Sequence, residues 1–116
     1  MFDDWFAGSA NADDEWRDYE QLRGRSYVEA LRAPAARHIY DFDLHYLRES
    51  REAVLIAPAG RSAHLELGWT LGQGKRGYVL LEPDSQRWDV MYQFATGVFT
   101  DVESLILELE SRKETR

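Results

Sequence analysis

Glu66 has the setting that most invites chemistry. It stands in APAGRSAHLELGW, residues 57–69, where the apolar run AVLIAPAG ends in a small-residue turn and a Ser, and the next dozen residues read as a buried helix carrying one carboxylate. In open α/β sheets such a place, outside the carboxyl end of a strand, is where ligands bind and where backbone N–H groups at the next helix's start hold an anion. Pro58 and Gly60 shape the turn, Ser62 is the expected cap of the helix, and Arg61 puts a charge beside the positive end of its dipole. Gly60, Arg61 and Ser62 are thus the candidate substrate-binding turn. With Ser62 as cap, Glu66 falls one residue beyond the position a capping box uses. Capping does not explain it. On a helical wheel Glu66 shares a face with Ser62, Ala63 and Thr70, while Leu67 and Leu71 mark the neighbouring core face, so the carboxylate is expected at the edge of the cleft. The plain alternative is a solvated helix residue.

Chemistry needs a second group. Asp41 and Asp43 in YDFDLHYL precede the strand, on a helix expected to reach the same strand end. Two carboxylates in different environments can divide roles between a charged nucleophile and a proton carrier, the logic of glycosidic chemistry through an oxocarbenium-like transition state. The absence of cysteine removes thiolate chemistry and disulfides. His64 points to a different helical face from Glu66 and reads better as a packed or hydrogen-bonded structural residue than as a catalytic one. His38 and His45 are spaced i, i+7, whereas a metal pair on a helix prefers i, i+4, so no metal site is expected. GQGKRG follows a helix and precedes a strand, the wrong order for a phosphate loop, and reads as a helix stop. Trp5, Trp16, Trp69 and Trp88 with Tyr92 have faces for stacking on a nucleobase, but core or subunit-contact roles fit most of them better.

The elements that must position these groups follow from periodicity and punctuation. A first helix is expected from Ala12 to Leu22 with Gly24 as its stop. From Ser26 a period of 3.6 places Tyr27, Leu31, Ala35, His38 or Ile39, Phe42 and Tyr46 near one stripe, with Ser26 as N-cap, Glu29 completing a capping box, and Pro34 as a kink or division. EAVLIAP reads as a strand buried on both faces because its apolar run is continuous. SAHLELGWTLGQG is a helix stopped by Gly72 and Gly74, and GYVLLE a second buried strand, which together make a βαβ unit and demand parallel pairing. DVMYQFA is a short helix, GVFT a third strand, and DVESLILELESRK a closing amphipathic helix with Asp101 near its positive end and Arg112 and Lys113 near its negative end. The expected architecture is a small three-layer α/β domain with a parallel sheet.

Composition bounds the rest. One domain is the default for 116 residues, and 44% hydrophobic with 13% aromatic residues argues against a disordered chain. The apolar runs are too short to span a bilayer, and no charged-then-apolar leader pattern opens the chain, so a cytoplasmic protein is expected. A net charge of −7 speaks against a nucleic acid polymer or an anionic membrane as partner.

GRSAHLELGW and GQGK, preceded by FDLHYL and AVLIAPA and followed by WDVMYQFATGVFTDVESLI, resemble the nucleoside 2-deoxyribosyltransferase family and its nucleotide N-glycosidase relatives over about residues 25–110. The resemblance implies a flavodoxin- or Rossmann-like domain over residues 1–116, no cofactor, and a small-molecule nucleoside or nucleotide as substrate. It carries the role of nucleophile at C1′ of the sugar onto Glu66, and that of proton donor or hydrogen-bond partner of the base onto Asp43. The turn that holds the sugar's 5′ end maps onto Gly60, Arg61 and Ser62. Two departures stand out. Family members begin with a strand and helix carrying a Tyr or Phe-x-Ala-Gly or Ser-type segment, and this chain is expected to start after that region. GRSAHLE is also longer than the D-G-S-A-x-E form and lacks its Asp, the residue that contacts a sugar hydroxyl there. A sheet lacking one edge, with an aromatic MFDDWF segment placed to cover a neighbour, leads to the expectation of a homodimer or larger oligomer. The competing expectation is an inactive nucleotide-binding or oligomerising relative.

Overall fold

The computed structural model describes residues 12–114, and the chain forms two compact units, Met1–Glu49 and Ser50–Arg116. The described residues of the first unit are helical. Helix α1, Ala12–Leu22, opens on Asp13, Asp14 and Glu15, whose charges suit the positive end of its dipole. It stops where Gly24 takes a left-handed φ of +72°. Buried Glu20 is held by Arg25 at 2.6 Å. Helix α2, Tyr27–Leu31, carries the expected capping box, with Ser26 Oγ accepting from the Glu29 amide and Glu29 accepting from the Ser26 amide. Donation from the Ser26 amide first, and from its hydroxyl second, holds the Glu29 carboxyl below its ordinary pKa.

Helix α3, Pro34–Glu49, starts on the proline itself. The expected stripe from Tyr27 to Tyr46 is therefore divided into two helices. A proline has no amide to continue the ladder but suits a first helical turn, where that amide has no partner. Ala35 is buried while Tyr27, Leu31 and Tyr46 are exposed, so the stripe does not act as one face.

The second unit is a parallel α/β domain of Rossmann-like character. Strands β1, Glu52–Ile56, β2, Arg76–Leu80, and β3, Gly97–Phe99, lie in the order β1-β2-β3, each pair parallel, with Glu52 facing Arg76 and Tyr78 facing Gly97. Helix α4, Arg61–Gly72, crosses from β1 to β2 and packs on both. A 3-10 helix, Val90–Phe94, and the closing helix α5, Val102–Glu114, complete the unit. Leu55, Leu67 and Val79 form the core between α4 and the sheet, joined by Ala63, Leu71 and Tyr92 among others. Between Gly77 and Val79, Tyr78 points to the opposite face, where Glu108 and Arg112 of α5 act on its hydroxyl. Helices thus cover the sheet from both sides, giving three layers. Asp101 accepts from the Ser104 amide and hydroxyl at the start of α5, and Glu108 pairs with Arg112 near its end. The side chain of Lys113 lies outside the described residues, as does the MFDDWF segment.

β1 departs from expectation. Only Leu55 of the strand is buried, and Ile56 is 64% exposed. The strand sits at an edge and α4 covers one of its faces, so a continuous apolar run here is half-covered rather than enclosed. Among the described residues no helix is long and apolar enough to cross a membrane.

Candidate functional site

The turn after β1 and the first turn of α4 form the site that the sequence singles out. Its Ala57–Pro58 bond is cis. Gly60, not Ser62, is the N-cap, and no side chain caps the helix. The expected Ser62 cap is thereby corrected: the helix starts at Arg61, which places Ser62 inside the first turn. The reason lies in His64. Its Nδ1 lies 2.7 Å from the Gly60 carbonyl and its Nε2 2.7 Å from the Tyr92 hydroxyl. A carbonyl only accepts, so the hydrogen-bond network assigns the proton to Nδ1 and makes Nε2 the acceptor of the Tyr92 O–H. The two rings stack at 5.7 Å and 13°. His64 is therefore the hydrogen-bonded structural histidine expected of it, and it fixes the carbonyl that ends the turn.

Arg61 and Ser62 are exposed on that first turn, and Glu66 is half-buried one turn further. The Glu66 carbonyl accepts from Thr70 Oγ1 at 2.9 Å, a bond that buries the threonine hydroxyl. Ala63, Leu67 and Leu71 face the sheet, so helical geometry sets His64 and Glu66 on opposite flanks of that stripe. His64 meets the connection between β2 and β3 through Tyr92. The flank bearing Glu66 is turned away from it.

Gly60, Arg61, Ser62 and Glu66 are brought together on one helix start. Asp43 belongs to the helical unit, half-buried on α3. Its carboxyl is raised above the ordinary aspartate pKa, first by desolvation and then by the charge of Asp13. Asp41 is exposed, and it lines a shallow groove of α3 with His38 and His45.

Sequence reasoning missed a second feature. A cleft of about 510 Å³ opens at the carboxyl ends of β2 and β3, between Leu81 and Thr100 and the connection that carries Trp88 and Tyr92. Trp88 is 87% exposed, which removes the core role expected for most of the tryptophans in its case. The signal was present in the Pro83-Asp84-Ser85 turn followed by two aromatics spaced i, i+4. Comparison with family models, curated proteins and solved structures returns no match.

Proposed function

We propose that the chain cleaves or transfers at the N-glycosidic bond of a deoxynucleoside or nucleotide. In this reading a Glu66 carboxylate oxygen bonds C1′ as the C1′–N bond breaks, a proton reaches the departing base, and water or a second base then takes the sugar from the glycosyl-enzyme. The part of proton carrier goes to Asp43, of the helical unit, on the resemblance alone. The observation that carries the reading is the position of Glu66. It lies half-buried on the first helix after a parallel strand, one turn beyond a helix start that no side chain caps. The same reading makes the protein a cytoplasmic homodimer or larger oligomer.

The test is incubation with a panel of deoxynucleosides and their 5′-monophosphates, following free base by chromatography. Wild type should release base, and Glu66→Ala should release none while keeping its circular dichroism spectrum and melting transition. Release unchanged in Glu66→Ala would sink the mechanism, and no release from wild type with any substrate would leave a nucleotide-binding relative without turnover.

A further inference from the structure

We infer that the cleft between the carboxyl ends of β2 and β3 binds a flat, uncharged heteroaromatic ring of nucleobase size, stacked on Trp88. The inference does not rest on the chemistry proposed for Glu66. Three observations carry it. The first is the presentation of the indole. Its Nε1–H donates to the Ser85 carbonyl at 3.2 Å, which tethers the ring by one edge while seven-eighths of the residue stays open to solvent. An indole held this way has already lost much of its rotamer freedom, so a stacking partner meets a prepared surface.

The second observation is that the walls are built. Asp89 accepts from the Met91 amide at 2.9 Å and starts the 3-10 helix, Ser85 Oγ donates to the Arg87 carbonyl at 3.0 Å, and Tyr92 is anchored through His64 to the Gly60 carbonyl. A connection between strands that is fixed at three points keeps a cleft of about 510 Å³, within the range of roughly 300–1,000 Å³ that small-molecule sites occupy.

The third is the polarity of the lining. Ser85 and Tyr92 spend their hydroxyl protons on Arg87 and His64, which leaves their oxygens as acceptors, whereas the Gln93 amide and the Thr100 hydroxyl bring donors. Both kinds of edge contact are on hand, as a heterocycle with ring nitrogens and carbonyls requires. Charge selects against an anion here. Glu82 and Asp89 outweigh Arg87 on the rim, so the cleft offers nothing to hold a phosphate.

The experiment uses the full chain with its tryptophan indoles labelled with nitrogen-15. Adenine, uracil and inorganic phosphate are titrated separately into wild type, Trp88→Ala, Trp88→Phe and Glu66→Ala, with heats and indole N–H shifts recorded and sedimentation run on each variant. At least one of the two bases should bind saturably and move the Trp88 indole signal. Trp88→Ala should weaken that binding by roughly tenfold or more, the scale of base–aromatic stacking, and Trp88→Phe should restore part of it. Loss of ring binding in Glu66→Ala with the Trp88 indole signal unmoved would place the ring beside Glu66 and overturn the inference. Equal binding in Trp88→Ala, binding of phosphate that depends on Trp88, or no binding of either base would overturn the inference. So would a Trp88→Ala variant whose only change is a smaller sedimenting species, since Trp88 would then be a contact between subunits.

Discussion

Asp43 carries a charge at a cost that its surroundings set, and that cost has a measurable sign. Partial burial and the nearby Asp13 raise its pKa in the folded chain above the unfolded value. Below the unfolded pKa both states hold the proton and the residue is at its most favourable for folding. As pH rises through the folded pKa, that contribution is lost, because the unfolded chain ionises more readily. Asp43→Asn should therefore be more stable than wild type near pH 7, with the difference shrinking towards about pH 3.5, below the ordinary aspartate value of about 3.9. Denaturant titration of both proteins at the two pH values checks it, and a pH-independent difference would contradict it. At this scale the sequence was partly legible. The capping pairs Ser26 with Glu29 and Asp101 with Ser104 could be read from local spacing, because both partners lie within one turn. Gly60 as cap could not, since the bonds that fix it run through His64 to Tyr92, which lies 28 positions beyond that histidine.

Helix α4 and strand β2 approach each other at Gly77, where a Cβ would fall 2.6 Å from Leu67 Cδ1 and 3.0 Å from Leu71 Cδ2. Gly77→Ala should destabilise the second unit by about 1–3 kcal/mol, the usual cost of overpacking, because both leucine ends sit against the core. Gly68, exposed on α4 with nothing near its would-be Cβ, gives the opposite sign: Gly68→Ala should stabilise by about 0.5–1 kcal/mol. Chemical denaturation of the pair tests the packing directly, and equal effects would refute it. Element by element, α1, α4 and β2 were legible from periodicity and from the glycines that stop each helix. β1 was not, because a continuous apolar run records that side chains are apolar and not how many layers cover them. The proline at 34 was legible as an interruption, but not as a break rather than a kink.

At the scale of the whole molecule, the exposed apolar residues Val90, Met91 and Phe94 gather on the 3-10 helix, and β1 has no strand partner on its outer edge among the described residues. Apolar surface and an open edge of this kind favour self-association even in a chain of net charge −7. Sedimentation velocity should show a dimer or larger species at micromolar concentration, and a monomer throughout that range would reject the proposed assembly. The parallel sheet and its helices were legible from the order of elements. The division at Ser50 was not, since no glycine- or proline-rich linker marks it. The register has one more consequence. β1 meets β2 with Glu52 opposite Arg76, and β2 meets β3 with Tyr78 opposite Gly97, so every strand pairing joins consecutive strands of the chain. Each pairing must still close a parallel crossover before its contacts reward it, but none has to wait for a strand from the far end of the chain. During synthesis β2 can dock on β1 as soon as α4 has wound between them, before the ribosome has released β3 and α5.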